Sequence, residues 1–386
     1  MSKLIHFTDV NPFNNKIQES INKSILNTVK NKDFILGKNV KKFEEKFSRL
    51  SNSKYAVGCA TGTDALLLAL KSLNLSKIHE VIIPGMSYIS TGLCASLNNN
   101  KIIFADIDDD TGLISFESIK KKLSKNTKVV IPVNLYGQKV NIKLLREIVG
   151  KKVFIIEDSA QSHFSSICKN CKNTDHSSCF KKEKSHKYAD LSCYSFYPSK
   201  NLGAYGDSGI ITTENSKLYK KLLILRNLGA VKKNKHQFQG LNSRLDTLQA
   251  SVLLQKLKYT PRLNNMRRKI STYYDDKLCF LDDIKLTSTD PGSSRHLYVI
   301  RSRNRDKLAK YLKKNNIPVQ LHYPYSLNKV GALSAKIKKI KLHNSEKWAR
   351  ECISLPLHPK IGIKEVNYVI KIIKEFLTKN GKYNNF

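Results

Sequence analysis

Lys200 stands between an apolar, aromatic run and a glycine-rich turn, within residues 195–209. A lysine amine attacks a carbonyl only in its unprotonated form, so it needs a fixed and partly dehydrated position. The end of a buried strand followed by a turn supplies such a position. The chemistry indicated is a Schiff base with the aldehyde of a cofactor or substrate. A solvated loop lysine is the alternative, since the chain has 68 Lys and Arg residues.

The residues that begin at Lys200 resemble a known motif. They read Lys-Asn-Leu-Gly-Ala-Tyr-Gly-Asp-Ser-Gly over 200–209, which resembles the cofactor-lysine motif of the DegT/StrS family of pyridoxal-phosphate (PLP) sugar aminotransferases. This version is similar to that of enzymes that aminate 3-keto sugars, whereas enzymes acting on 4-keto sugars more often carry Thr-Thr-Gly-Glu-Gly-Gly. The resemblance extends from about residue 11 to about residue 370. It implies pyridoxal 5'-phosphate as cofactor, held by Lys200, and glutamate as amino donor.

Three residues are suited to the phosphate of such a cofactor. Gly62 and Thr63 open an apolar helical stretch. Glycine lets a phosphate approach the backbone, and the free N–H groups at a helix start attract anions. The same segment also fits an ordinary N-cap, because Thr and Asp are common there. The resemblance implies that Gly62 and Thr63 bind the PLP phosphate and that Ser195 adds a hydroxyl contact.

Asp158 and Gln161 lie at and just beyond the end of another apolar run. A carboxylate there can pair with the PLP ring nitrogen and keep the ring protonated, as its role of electron sink requires; a helix cap or a partner for lysine is the alternative. By analogy we assign Asp158 to the ring nitrogen and Gln161 to the ring hydroxyl, and give Glu157 a structural role. Tyr88 lies where the family places an aromatic over the ring, with core packing as the alternative.

Later residues are implied to bind substrate. In the segment 240–246, the resemblance implies that Asn242 contacts the PLP phosphate of a partner subunit and that Arg244 binds the anionic substrate through its fork of donors. A solvated turn is the alternative. His322 and Tyr323 match enzymes acting on UDP-linked 3-keto sugars of the N-acetylglucosamine-uronic acid type, and would line the sugar pocket. The prediction is a homodimer with a shared active site.

The insertion at about 165–189 departs from the family, which usually has a short connector there. It contains Cys168, Cys171, His176 and Cys179, four soft ligands of the kind that tetrahedral zinc binds. Their spacing matches no standard zinc module. A lysine-rich insertion without metal is the alternative, so no metal is predicted and the four residues remain a candidate set.

Composition and charge exclude some classes of protein. A chain of 386 residues, 40% hydrophobic, is long enough for two domains with cores. No run is apolar enough to span a membrane, and the first 15 residues lack the apolar core of a secretory signal. The scattered cysteines then favour a cytoplasmic location. The net charge of +37 is spread along the chain without a nucleic-acid-binding motif, so we expect anionic small substrates rather than nucleic acid.

The elements that must position these residues follow from the hydrophobic pattern. Apolar residues recur every four positions from 17 to 29, which indicates a helix. Between about 55 and 230, apolar runs alternate with helices, so the predicted fold is α/β with a mostly parallel sheet. Ligands of such sheets bind beyond the carboxyl ends of the strands. The resemblance implies the type I PLP-dependent aminotransferase fold, with a helical segment at 1–50, a large PLP-binding domain at 51–258 and a small α+β domain at 259–386.

The predicted function is PLP-dependent transfer of an amino group from glutamate to a nucleotide-linked 3-keto sugar, giving a 3-amino sugar nucleotide for polysaccharide biosynthesis. Amination of a 4-keto-6-deoxy sugar nucleotide is one alternative, against which the residues after Lys200 argue. A non-catalytic regulatory or nucleic-acid-binding protein on the same fold is the other, and only the charge of +37 supports it.

Overall fold

The computed structural model describes residues 4–167, 185–334 and 340–379. The helices in this part of the chain are α1 (Asn15–Lys30), α2 (Lys38–Leu50), α3 (Gly62–Ser72), α4 (Ser90–Leu97), α5 (Phe116–Lys122), α6 (Ile142–Val149), α7 (Ser216–Leu225), α8 (Thr247–Leu257), α9 (Thr260–Leu278), α10 (Arg305–Lys314), α11 (Gly331–Ser334), α12 (His343–Glu351) and α13 (Ile363–Lys379). Short 3-10 turns lie at Leu135–Gly137, Ser185–Lys187 and Leu327–Lys329. Of these described helices, none combines the length and apolar character needed to cross a membrane.

A seven-stranded sheet forms the centre of the molecule, in the order β1-β7-β6-β5-β4-β2-β3. Its strands are β1 (Tyr55–Cys59), β2 (Glu80–Pro84), β3 (Lys101–Ala105), β4 (Thr127–Val130), β5 (Phe154–Asp158), β6 (Leu191–Ser195) and β7 (Gly209–Thr213). Strands β2 to β6 pair in parallel, while β7 is antiparallel to both β1 and β6. The prediction of an α/β fold with a mostly parallel sheet is therefore confirmed.

One edge of this sheet collects the carboxyl ends of several strands. Because β7 is antiparallel to both of its neighbours, β1 runs in the same sense as β6. The strands β1, β2, β5 and β6 therefore all end at one edge, and the chain there continues into loops that carry polar residues. Such an edge is where sheets of this kind bind ligands.

The helix α3 fixes the first of these loops. Every residue from Ala65 to Leu70 is buried, because α3 packs between the sheet, α4 and α7. A helix that is apolar all round is stable only when it is enclosed in this way. Its burial holds the N-terminus of α3 at the carboxyl edge of the sheet.

A second, antiparallel sheet lies in the C-terminal third, in the order β10-β11-β12. Its strands are β10 (Lys285–Leu286), β11 (Tyr298–Arg301) and β12 (Cys352–Leu355), and a two-stranded hairpin at β8 (Ala230–Lys232) and β9 (Lys235–His236) lies apart from it. Apolar side chains of α9, α10 and α13 cover this sheet and share one core with it. The division of the chain into segments at 50/51 and 258/259 stays a prediction.

Candidate active site

A cavity of about 620 Å³ opens at the carboxyl edge of the large sheet. The structure brings nine of the sequence-predicted residues to its wall. They are Gly62, Thr63, Tyr88, Asp158, Gln161, Ser195, Lys200, His322 and Tyr323. Residues from four strand ends and from the C-terminal third thus converge on one space.

The N-terminus of α3 forms one end of the cavity. The Thr61 hydroxyl caps the helix by accepting the N–H of Asp64 at 2.9 Å, which leaves the N–H groups of Gly62 and Thr63 among those without an intrahelical acceptor. The Thr63 hydroxyl lies 2.7 Å from that of Ser90. The two roles expected for this segment, an N-cap and a phosphate-binding site, are therefore compatible. Thr61 caps the helix, while Gly62 and Thr63 line the cavity.

Asp158 closes the floor of the cavity and is buried. Its carboxylate accepts the Thr91 hydroxyl at 2.9 Å and the backbone N–H of Ala160 at 3.2 Å. Burial raises the pKa of this carboxyl, although both hydrogen bonds and the positive charge of Lys200 act in the opposite direction. A cationic group placed against Asp158 would therefore be bound strongly.

Gln161 is held in one orientation by two partners. Its Oε1 accepts the backbone N–H of Tyr136 at 2.7 Å, and its Nε2 donates to the Tyr323 hydroxyl at 3.0 Å. Burial raises the pKa of Tyr323 well above its ordinary value, so this hydroxyl stays protonated. The ring centroids of Tyr88 and Tyr323 are 5.9 Å apart. Tyr88 is 58% exposed, which excludes core packing as its role.

Lys200 is partly enclosed at the centre of the wall. Burial lowers the pKa of its amine to about 8, against the opposing effect of the Asp158 carboxylate. The next residue, Asn201, is buried and donates to Asn264 Oδ1 and to the Ser294 carbonyl, each at 2.8 Å. The backbone at Lys200 is thus anchored, and the alternative of a solvated loop lysine is excluded.

Histidines that are held neutral surround Lys200. Burial, followed by the positive charge of Lys200, lowers the pKa of His163 to about 3 and that of His322 to about 4, and places the pKa of His296 well below its ordinary value. Neither His163 nor His296 could be identified from the sequence, because neither lies in a recognisable motif. His296 lines the cavity, and its Nδ1 lies 3.0 Å from Asn201 Oδ1.

Glu157 points away from the cavity into a buried polar network. Its Oε1 accepts from Lys139 Nζ at 2.5 Å and from Asn134 Nδ2 at 2.7 Å, and its Oε2 accepts the Ser192 hydroxyl at 2.9 Å. These contacts satisfy a fully buried carboxylate. They fit the structural role expected for this residue.

Asn242 and Arg244 lie outside the cavity wall of their own chain. Asn242 is exposed and bridges to the backbone of Asn227, while Arg244 Nη1 donates to Asn227 Oδ1 at 3.1 Å. Between them, the buried Ser243 donates to Asp64 Oδ2 at 2.7 Å. The expected roles of both residues in a partner's site stay predictions.

The candidate zinc ligands Cys168, Cys171, His176 and Cys179 lie outside the described residues. Within the described ranges, no cluster of three or more His, Cys, Asp or Glu side chains is arranged to hold a metal ion.

The comparison with known proteins identifies the family. The DegT/DnrJ/EryC1/StrS aminotransferase family matches residues 15–374. The chain belongs to this family. It is 31% identical to UDP-2-acetamido-2-deoxy-3-oxo-D-glucuronate aminotransferase of Pseudomonas aeruginosa, over 95% of this chain and 98% of that protein. It is 33% identical to dTDP-3-amino-3,6-dideoxy-alpha-D-galactopyranose transaminase of Aneurinibacillus thermoaerophilus, over 97% of this chain and 99% of that protein.

A solved structure supports the same assignment. The Bacillus subtilis protein NtdA, with the cofactor PMP bound, superposes with a TM-score of 0.85 at 26% identity, over 95% of this chain and 83% of that chain. The predicted type I aminotransferase fold is confirmed. So are the predictions that this family member is an aminotransferase and that its cofactor is pyridoxal phosphate.

Proposed function

We propose that this aminotransferase moves an amino group from glutamate to a nucleotide-linked 3-keto sugar, and so makes a 3-amino sugar nucleotide. The observation that carries the proposal is the convergence of Lys200, Asp158 and Gln161 on one cavity. Both relatives described above have names that place the amination at C3 of a nucleotide sugar. The high positive charge of the chain also favours an anionic, nucleotide-linked substrate.

The residues at the cavity fit pyridoxal phosphate. At one end, the N-terminus of α3 offers free N–H groups beside Gly62, which has no side chain to obstruct a phosphate, and Ser195 adds a hydroxyl. In the middle, Asp158 would face the ring nitrogen, Gln161 the ring hydroxyl, and Tyr88 the ring face. When bound, the cofactor supplies an electron sink that stabilises negative charge at the reacting carbon.

Lys200 provides the base for proton movement. With a pKa lowered to about 8, about a tenth of its amines are neutral at pH 7. A neutral amine can attach the cofactor and can later take a proton from one carbon and return it to another. The hydrogen bonds of the neighbouring Asn201 anchor the chain next to Lys200 and so hold its amine in the cavity wall.

Asp158 maintains the charge on which this chemistry depends. Thr91 and Ala160 orient its carboxylate, and its burial makes an unpaired negative charge unfavourable. A protonated ring nitrogen would relieve that cost, so Asp158 would hold the proton on the ring. Replacing the carboxylate with a neutral amide removes this effect.

The active unit that we propose is a homodimer. Asn242 would contact the cofactor phosphate of the neighbouring protomer, and Arg244 would bind the anionic groups of its substrates. The exposed position of Asn242, outside the cavity of its own chain, supports this arrangement. We also place the enzyme in the cytoplasm, because the described cysteines are free thiols, which suit a reducing compartment.

A visible spectrum of the purified enzyme tests this function. We expect a cofactor absorbance band that glutamate bleaches and that one 3-keto sugar nucleotide restores, and no such band in Lys200→Ala. Restoration only by a 4-keto-6-deoxy sugar nucleotide would move the amination to C4. Salt-sensitive DNA binding in a protein that glutamate does not bleach would favour the regulatory alternative.

A further inference from the structure

The segment before α1, residues 5–13, crosses the molecule as an irregular strap. Ile5 is buried in the core of the small sheet. Near the other end, the Phe13 carbonyl accepts Lys360 Nζ at 3.1 Å, and the Phe13 ring lies 5.9 Å from that of Tyr259. We call residues 5–13 the N-terminal strap. It is held at both ends by the body of the protein.

The middle of the N-terminal strap lies against the cavity. Phe7 and Thr8 both line it, and the Phe7 carbonyl accepts the N–H of Leu357, another lining residue, at 3.3 Å. The Phe7 ring stacks on the imidazole of His322, with centroids 6.2 Å apart and planes inclined by 24°. The strap therefore forms part of the cavity wall.

His322 is fixed from two sides in this wall. Phe7 covers one face of its ring, and its Nδ1 lies 2.7 Å from the Ser354 hydroxyl. Its Nε2 has no hydrogen-bond partner in the described part of the chain. In a neutral imidazole, Nε2 accepts a hydrogen bond when Nδ1 carries the proton and donates one in the other tautomer. The residue thus presents one uncharged polar atom of fixed direction.

We propose that Phe7 and Thr8, in the middle of the N-terminal strap, belong to the sugar-recognising wall of this aminotransferase, in which Phe7 positions His322 and Thr8 contacts the hexose directly. The inference rests on the function proposed above. The substrate part that it would recognise is a hexose ring with hydroxyl donors. Aromatic and apolar surface packs on the carbon face of such a ring, while single polar groups fix its orientation.

The absence of charged side chains from the described residues of this wall indicates which of the two substrates it contacts. Its polar side chains, Thr8, Gln320 and His322, are uncharged, and Lys200 is the one Lys or Arg among the described cavity-lining residues. Glutamate carries two carboxylates, which need cationic partners. The Thr8 hydroxyl has no side-chain partner in the described residues, so it is available to a sugar hydroxyl. The wall should therefore act on the sugar and not on glutamate.

The test measures the two half-reactions separately in single turnover. Bleaching of the cofactor band by glutamate reports one, and its restoration by the accepted 3-keto sugar nucleotide reports the other. In Phe7→Leu we expect kcat/KM for the sugar to fall by about tenfold or more, as for loss of one positioned hydrogen bond, while the glutamate reaction changes less than about twofold. Phe7→Tyr keeps the stacked ring, so this variant should react with the sugar at close to the wild-type rate.

Two further variants make the test specific. Thr8→Val removes a hydroxyl at nearly constant shape and should raise KM for the sugar with little change in kcat. It also carries the test if Phe7→Leu lowers the yield of folded protein. Phe13→Leu is the matched control, because Phe13 lies in the same strap but does not line this cavity. It should leave both half-reactions of the folded enzyme unchanged.

Three outcomes would overturn the inference or its basis. Equal loss of both half-reactions in Phe7→Leu and Thr8→Val would reduce the strap to a structural role. Unchanged sugar kinetics in both variants would exclude it from recognition. If glutamate bleaches the wild-type enzyme but no sugar nucleotide restores its absorbance, the proposed function is overturned. The proposal that this wall recognises a sugar then fails as well.

Discussion

Gly62 lies directly against Ser195. A Cβ at residue 62 would be 2.6 Å from the Ser195 Cβ, which is closer than two carbon atoms pack, and 3.0 Å from the Ser195 hydroxyl oxygen. The helix start of α3 and the end of β6 can approach this closely only because residue 62 has no side chain. Two groups suited to a phosphate are thereby brought to the same end of the cavity.

Gly62→Ala should therefore weaken cofactor binding. The added methyl must displace Ser195 or the first turn of α3, and such overpacking costs about 1–3 kcal/mol, equivalent to roughly tenfold or more in affinity. Titration of the cofactor-free enzyme with pyridoxal phosphate measures the effect. Gly331→Ala is the control, since no atom lies within 4 Å of its added Cβ. If Gly62→Ala and Gly331→Ala bind pyridoxal phosphate with equal affinity, the close contact between Gly62 and Ser195 has no role in binding the phosphate.

Lys200 should attach the cofactor with a pH dependence that reports its burial. The pKa of its amine is lowered to about 8, so the neutral, nucleophilic form increases as the pH rises through 8. The attachment rate in the cofactor-free enzyme should rise up to about this pH and then level off, whereas an ordinary lysine would continue to gain until about pH 10. Borohydride reduction followed by mass spectrometry measures the attached fraction, with Lys200→Arg as the blank. A midpoint near 10 would show that the amine is not dehydrated.

Local sequence patterns are sufficient to predict most strands of the large sheet and the site residues that lie within a single motif. Asp158, Ser195 and Lys200 follow apolar runs, so their place at a sheet edge follows from the parallel α/β pattern. The strand β1 has a weaker strand pattern than the others, because its apolar run is short and contains Gly58. This strand leads the chain to Gly62, at the edge of the sheet where the other site residues lie.

Contacts between distant segments could not be predicted from the sequence. Thr91 binds Asp158 across 67 positions, and Phe7 meets His322 from opposite ends of the chain. No spacing rule connects such residues, because only the tertiary packing of the chain brings them together. His296 was missed for the same reason: its proximity to Asn201 depends on how the C-terminal third packs.

Arg244 should complement Lys200 between subunits. If each site combines Lys200 of one protomer with Arg244 of the other, Lys200→Ala and Arg244→Ala homodimers are both impaired. Their mixed dimer contains one intact site. Random mixing gives one half mixed dimers with one of two sites active, so we expect about a quarter of wild-type activity. Activity measured after co-refolding of equal amounts tests this. An Arg244 that acts within its own chain would give no recovery.

Asp109 should stabilise the contact between the loop after β3 and the small sheet. It lies beyond β3, and its Oδ1 accepts Arg301 Nη1 of β11 at 2.7 Å, where Arg301 is only 1% exposed. Its Oδ2 accepts Lys285 at 3.0 Å and Lys347 at 3.1 Å. Burial alone would raise the pKa of Asp109, but the hydrogen bonds from these three cations outweigh it and hold the pKa well below its ordinary value.

The sign of the pH effect follows from that lowered pKa. A carboxylate with a depressed pKa in the folded state stabilises the protein above its unfolded pKa of about 4, and this contribution is lost progressively as the pH falls from that value through the lowered pKa of the folded state. Asp109→Asn should lower the free energy of unfolding by about 2 kcal/mol at pH 7, because Arg301 loses its main charged partner. The difference from wild type should shrink as the pH falls below 4. Asp110→Asn is the control, since Asp110 pairs only with the half-exposed Lys285 in the described structure. Urea unfolding at pH 7 and pH 3.5 measures both variants, and equal effects of the two would show that the buried arginine does not depend on Asp109.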